Sequence, residues 1–337
     1  MPKLRLSFIS AFNERVDPLM TGTIQVEGID LVPTYSPPSE TFWRQLKFQE
    51  FEVGEMSMSS YLIARERGFD LIALPVFPSR RLFHIEISYN VDSGIQRPED
   101  LVGKRLGVGE YQQTAALWQR GILEHDFGVS QYKVHWYMER TEELSHGGAT
   151  GFTPPAGISF QRIPPEKNMV SMLANHELDA AAINSPWRTT PSIIGRSHGI
   201  PSEGGDGSKV KLLFPDRMAE GRRFFKKWGF LPVNHAYTIR GDIYKKYPWV
   251  AFNLYTGFVK AKQHFNAKLA DNIPTALFFG REYLAMTREM FGDDPFPYGV
   301  KGNQKMIETL IDFSHEQGLT TKKMNVEELF AESTLDL

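Results

Sequence analysis

The chain of 337 residues contains no cysteine. That one absence excludes disulfides, thiol nucleophiles, iron–sulfur clusters and thiolate zinc sites. Net charge is also scarce: 38 Lys and Arg against 40 Asp and Glu leave −2. A dedicated nucleic-acid binder usually carries a basic excess, which is missing here. No apolar run approaches the roughly 18 residues of a membrane helix. The opening segment Met1–Ile9 lacks the apolar stretch of a secretory signal, because Arg5 interrupts it and Asn13, Glu14 and Arg15 follow. These absences lead us to expect a soluble cytoplasmic protein with neither a nucleic-acid nor a membrane partner. What is present suits a folded core: 41% of residues are hydrophobic and 23% charged, which excludes a disordered chain or a coiled coil. The length predicts about two domains.

Strand and helix patterns alternate along the first half. Leu4, Leu6 and Phe8 place one apolar face on a first strand. Short strands are expected at Ile24–Glu27 and Leu31–Thr34, and Ser39 is expected to cap a helix over Glu40–Phe48. A strand over Phe51–Met56 and a helix over Ser57–Arg67 follow. Strands are then expected at Asp70–Phe77, His84–Asn90, Arg105–Gly109, His135–Tyr137 and Leu178–Ile183, and helices at Thr114–Phe127 and Met169–Asn175. This alternation implies an α/β fold with a largely parallel sheet. Stretches 144–166 and 189–210 are rich in Gly, Pro, Ser and Thr, and the second is expected to contain a long surface loop. Beyond Tyr247 helices are expected at Pro248–Gln263, Pro274–Met290 and Gln304–Glu316. The aromatic stripe Trp249, Phe252, Tyr255 and Phe258 is read as core packing, with a homo-oligomer face as the alternative. The basic run Arg222–Lys227 is read as the solvated face of an amphipathic helix.

Several segments carry more specific patterns. Ile95–Val108 (IQRPEDLVGKRLGV) resembles the entry into the second lobe of type 2 periplasmic-binding-protein folds. Phe51–Ser60 (FEVGEMSMSS), Pro75–Arg80 (PVFPSR) followed by Phe83-His84, and Gly109–Ala115 (GEYQQTA) resemble segments of the 4,5-dihydroxyphthalate decarboxylase family. Pro295–Gly299 (PFPYG) and Glu327–Phe330 (EELF) resemble two more near its end. The likeness runs in order over nearly the whole chain and is weakest at about 189–210. One departure concerns charge: the arginine that adjoins the family histidine is replaced here, and the basic pair is Arg80-Arg81.

The resemblance implies an α/β fold of two lobes, joined by two crossing strands with the ligand in the cleft between them. The crossings are placed near His84–Asn90 and Val233–Ile239. Lobe one is then 1–88 with 236–337, and lobe two 89–235. The implied reaction is non-oxidative decarboxylation of a hydroxylated aromatic dicarboxylic acid, 4,5-dihydroxyphthalate giving protocatechuate. A solute-binding protein for a small aromatic or carboxylate anion is the alternative, as is another cytosolic lyase on the same fold.

Within this frame the chemistry falls on a few residues. Ser57, Ser59 and Ser60 stand at a strand-to-helix turn, where unpaired N–H groups and hydroxyls suit a carboxylate; a plain serine cap is the bland reading. Glu110, Tyr111, Gln112 and Thr114 stand at the corresponding turn of lobe two. Arg80 and Arg81 are candidates for a substrate carboxylate, and Arg188 joins the binding set. His84 and His235 lie near the two crossings and are the alternative proton donors to the ring carbon. Glu55 or Glu110 is expected to polarise the phenol. His125, His135, His146, His176, His198, His264 and His315 are left as structural. A metal set of Glu55, His84, Glu110 and His235 has no local spacing behind it. The expectation is no cofactor and no metal, with a small aromatic carboxylate as the only partner beyond a homo-oligomer.

Overall fold

Leu6 and Phe8 are almost wholly buried, as their alternate spacing predicts, and they seed the first of two sheets. The computed structural model describes residues 2–183, 207–269, 271, 273, 274 and 276–337. Its strands, numbered in chain order, are β1 (Leu4–Ser10), β2 (Ile29–Tyr35), β3 (Val53–Ser57), β4 (Leu71–Leu74), β5 (Ile87–Asn90), β6 (Arg105–Val108), β7 (His135–Met138), β8 (Phe160–Arg162), β9 (Ala180–Ala182), β10 (Val210–Leu212) and β11 (His235–Arg240). The helices are α1 (Asp17–Met20), α2 (Pro38–Phe48), α3 (Met58–Glu66), α4 (Thr114–Phe127), α5 (His146–Thr150), α6 (Met169–Ala174), α7 (Arg217–Trp228), α8 (Gly241–Lys246), α9 (Trp249–Lys268), α10 (Gly280–Phe291) and α11 (Gln304–Glu316).

The first sheet has the order β2-β1-β3-β11-β4 and the second β10-β5-β9-β6-β7-β8. Strands β1, β2 and β3 run parallel, and β11 returns antiparallel between β3 and β4. In the second sheet β9, β6, β7 and β8 are parallel, and β5 lies antiparallel to both β9 and β10. The mixed sheets carry helices as α/β alternation requires, and they make two lobes. The chain passes between them twice. The passing segments touch at Arg80 and Val233, and Arg81 N–H donates to Pro232 C=O at 3.1 Å while Asn234 N–H donates to Ser79 C=O at 2.8 Å. The contact lies a few residues before the first expected crossing, His84–Asn90, and at the start of the second, Val233–Ile239.

Two close approaches fix the helices nearest the lobe junction. A Cβ on Gly54 would stand 2.8 Å from the Gln45 amide, so glycine lets α2 lie directly on β3. A Cβ on Gly121 would collide with the Phe313 ring at 2.1 Å, so glycine lets α11 press against α4. Gln317, just past α11, accepts from Arg120 Nε at 2.8 Å and donates to Leu117 C=O at 3.0 Å. The C-terminal segment therefore ties itself to the second lobe's long helix.

Some expectations shift. Ile24–Glu27 is not a strand; the chain turns there, and β2 begins at Ile29 after Gly28 in the left-handed region at φ +72°. Phe83–Glu86 winds into a 3₁₀ turn before β5, and the helix expected from Pro274 begins at Gly280. The aromatic stripe divides: Phe258 is core, whereas Trp249 and Phe252 are exposed. Arg223 and Lys227 of α7 pair with Asp126 of α4, so the basic run packs between helices as well as facing solvent. Among the described residues no helix is long and apolar enough to cross a membrane.

Candidate active site

Strand register decides which side chains share a face. Ser57 of β3 lies opposite His235 of β11, and Glu55 lies opposite Tyr237. Deeper along this face the chain is apolar: Phe8, Val53, Ile239 and Phe258 belong to one core cluster. Toward the end of the sheet it turns polar. Glu55 Oε1 is 2.6 Å from His235 Nδ1, and Oε2 accepts the Ala11 N–H at 3.0 Å. The Tyr237 and Ser10 hydroxyls are 2.6 Å apart. All of these side chains are buried. Burial, reinforced by the Glu55 charge, holds the Tyr237 phenol well above its ordinary pKa, so it stays protonated.

The second lobe contributes a carboxylate held by many donors. Val108 of β6 pairs with Met138 of β7, and the Arg140 N–H continues that register onto Gly109 C=O at 3.1 Å. This sets Arg140 beside Glu110. Glu110 accepts from the side chains of Arg140 and Gln112. It also accepts from the Ser145 hydroxyl at 3.1 Å and the backbone N–H groups of His146 and Gly147 at 3.1 and 3.4 Å. Burial pushes its pKa up, but the charges of His146 and Arg140 and these donors outweigh it and hold the group below its ordinary value. Ser145 also caps α5, accepting from the N–H groups of Gly147 and Gly148.

His146 completes this group. Its Nε2 lies 2.9 Å from the Ser39 carbonyl, an atom that only accepts, so Nε2 carries the hydrogen. Its buried Nδ1 has no hydrogen-bond partner and stands 3.7 Å from Glu110 Oε1. Burial lowers its pKa to about 4 against the pull of Glu110, with Arg140 lowering it further. The ring is neutral near pH 7.

The lobes are closed on each other through these groups. Ser57 Oγ is 2.8 Å from Thr114 Oγ1, which also accepts the Ser59 N–H at 3.0 Å. The Ser59 hydroxyl donates to Gln112 C=O. The N-terminal turns of α3 and α4 thus face one another, with the Met58 N–H held by Asn234 C=O at 3.1 Å and the Ser59 N–H by Thr114. Arg140 reaches Ser39 Oγ on α2, and Trp43 Nε1 donates to Glu143 C=O at 3.0 Å. Phe42 of α2 contacts both site histidines edge-on, with centroids 4.6 Å from His235 and 5.6 Å from His146.

The predicted residues therefore separate. Glu55, Ser57, Ser59, Glu110, Gln112, Thr114 and His235 come together at the lobe junction. His84 does not join them: its Nε2 is 2.6 Å from Glu220 Oε1, and its ring lies between Phe214 and Phe224. Arg80 is buried, its guanidinium donating to Leu231 C=O, Pro297 C=O and Asn303; burial lowers its pKa to about 10. It braces the crossing segments against the Pro295–Gly299 motif. Arg81 stands 3.5 Å from Glu86. Tyr111 lies in the second lobe's core, under Arg120 at 3.8 Å and bonded to Gln131. The Ser60 hydroxyl is buried without a partner. Arg188, His198 and residues 189–206 of the expected loop lie outside the described residues. Of the four groups weighed for a metal, His84 is the one held elsewhere, and among the described residues no three His, Asp or Glu side chains gather as ligands.

Sequence reading missed His146, Arg140, Ser39 and Phe42. Arg140 had a usable signal, since it follows β7 by as many residues as Glu110 follows β6. His146 had a weaker one, the Ser145 cap ahead of Gly147-Gly148.

No protein-family model matches the chain. It is 30% identical over 339 residues to a 4,5-dihydroxyphthalate decarboxylase of Comamonas testosteroni, covering 100% of this chain and 99% of that protein. It is 37% identical over 227 residues to a protein of the same name from Pseudomonas putida, covering 67% of this chain and 83% of that protein. Among solved structures, the periplasmic aliphatic sulphonate binding protein SsuA from Escherichia coli aligns with a TM-score of 0.54 at 14% identity, covering all of both chains. The desulfurization enzyme DSZB aligns with a TM-score of 0.51 at 13% identity, covering 98% of this chain and 96% of that one. At such identities these two likenesses establish the two-lobed binding-protein fold and nothing of the ligand.

Proposed function

The chain belongs to the 4,5-dihydroxyphthalate decarboxylase family, and from that membership we propose that it is a carboxy-lyase converting 4,5-dihydroxyphthalate to protocatechuate and CO₂. The observation that carries the reading is the buried Glu55–His235 pair closed against a second polar cluster across the lobe junction. Loss of CO₂ from an aromatic ring requires a proton at the carbon that bore the carboxylate. A hydroxyl para to that carbon supplies the electron density. With Nδ1 held by Glu55, the His235 ring presents Nε2 as the atom that hands over a proton when both nitrogens are protonated.

The retained carboxylate is proposed to lie at the facing turns of α3 and α4, where Ser57, Ser59 and Thr114 supply donors. Closure of the lobes excludes water and strengthens every one of these interactions. The proposed chemistry is proton transfer among side chains of this chain. The test is incubation of the protein with 4,5-dihydroxyphthalate while CO₂ and protocatechuate are followed. Stoichiometric appearance of both supports the reading; tight binding without CO₂ moves the protein to the solute-binding class.

A further inference from the structure

We propose that His146 is a catalytic base, its Nδ1 taking the proton of the substrate hydroxyl para to the departing carboxylate, with Glu110 as the fixed anion beside it. This rests on the decarboxylase reading above. Glu110 itself is a poor candidate for that task. Its two oxygens already accept from Arg140, Gln112, Ser145 and the N–H groups of His146 and Gly147, which leaves little capacity for an incoming proton. His146 has the opposite character. The Ser39 carbonyl fixes the hydrogen on Nε2, so the lone pair is on Nδ1, buried and unpartnered. A buried acceptor left empty is costly unless something fills it. A phenolic O–H fills it.

The surroundings make that acceptor competent. A proton arriving on Nδ1 stands 3.7 Å from the Glu110 carboxylate, whose charge stabilises the imidazolium that forms. Phe42 touches both imidazoles, so an aromatic substrate lying along it has one histidine from each lobe within reach. The steps then balance. The phenol gives its proton to His146 Nδ1, and the oxygen's electrons move through the ring to the para carbon, which takes the proton from His235 Nε2. The carbon–carboxylate bond breaks, its electron pair returns to the ring, and CO₂ leaves. The phenolate recovers its proton from His146, and His235 is reprotonated from solvent when the lobes open.

The test uses the full-length protein and compares wild type with His146→Gln, whose amide N–H keeps the bond to Ser39 but takes no proton. Protocatechuate serves as the bound probe, so that affinity is read apart from turnover. We expect His146→Gln to bind protocatechuate within about threefold of wild type. We expect kcat on 4,5-dihydroxyphthalate to fall at least 100-fold, the usual scale for a general base. The same loss of kcat with retained binding is expected of a second variant, His146→Asn. A kcat within threefold of wild type in either folded variant overturns the inference. No CO₂ from wild type overturns the decarboxylase reading as well, which separates the two failures.

Discussion

His84 and His235 are each buried and each 2.6 Å from a glutamate oxygen, of Glu220 and Glu55 respectively. By distance and burial the two pairs match. Their surroundings differ. His84 is packed by Phe214 and Phe224, and Glu220 is also held by Arg223 at 2.7 Å, so the pair belongs to the packing of α7. His235 stands at the polar end of a sheet, next to the hydroxyls that bridge the lobes. A histidine–carboxylate distance alone does not mark a catalytic pair; access to the lobe junction does. Inside a core, removing one partner of such a pair is destabilising because the other is left buried and uncompensated.

The largest expected effect comes from breaking the junction pair at its carboxylate. Glu55→Gln should lower kcat by about 100-fold or more, since the His235 ring loses its orienting acceptor, while the thermal midpoint moves little; steady-state CO₂ release checks this. The third buried histidine offers a pH test. His146 takes a proton near pH 6.5 when unfolded but only at about 4 when folded, so the unfolded chain binds more protons in between. Stability should therefore fall as pH drops from about 6.5 to about 4, by about 3 kcal/mol from this group. Glu110, with its pKa depressed and Arg140 and His146 against it, loses stability in the same direction. Urea unfolding across that range should show the slope in wild type and a shallower one in His146→Gln.

A smaller effect is expected on the other side of the comparison. Glu220→Gln leaves Arg223 paired with Asp126 but removes the charged partner of His84. It should cost about 1–3 kcal/mol of stability with kcat per folded molecule unchanged. The smallest change expected is in Thr114→Val, which removes the bridge to Ser57 and Ser59. The Kd for protocatechuate should rise about fivefold, roughly one hydrogen bond's net worth, measured by titration calorimetry.

How much of this was legible in the sequence depends on range. Glu55 and Ser57 were legible because a short strand runs into a helix within one decapeptide, and the two-residue period puts both on one face. Glu110 and Thr114 follow the same logic after β6. The partner of His84 was not legible: Glu220 lies 136 residues away on another helix, and no local pattern links them. His146 was hidden for a related reason. It sits in a Gly- and Thr-rich stretch without periodicity, and its role arises from a carbonyl on α2, 107 residues earlier. Arg80 shows the reverse error. A basic pair after a buried strand suits a carboxylate, yet the carbonyls of Leu231 and Pro297 claim it.

The most direct test of the central claim sets His235→Gln beside His84→Gln in one assay of kcat and thermal midpoint. The account predicts that His235→Gln loses at least 100-fold in kcat with its midpoint nearly unchanged, and that His84→Gln keeps kcat within threefold while its midpoint falls. A folded His84→Gln without activity, or a fully active His235→Gln, would contradict it.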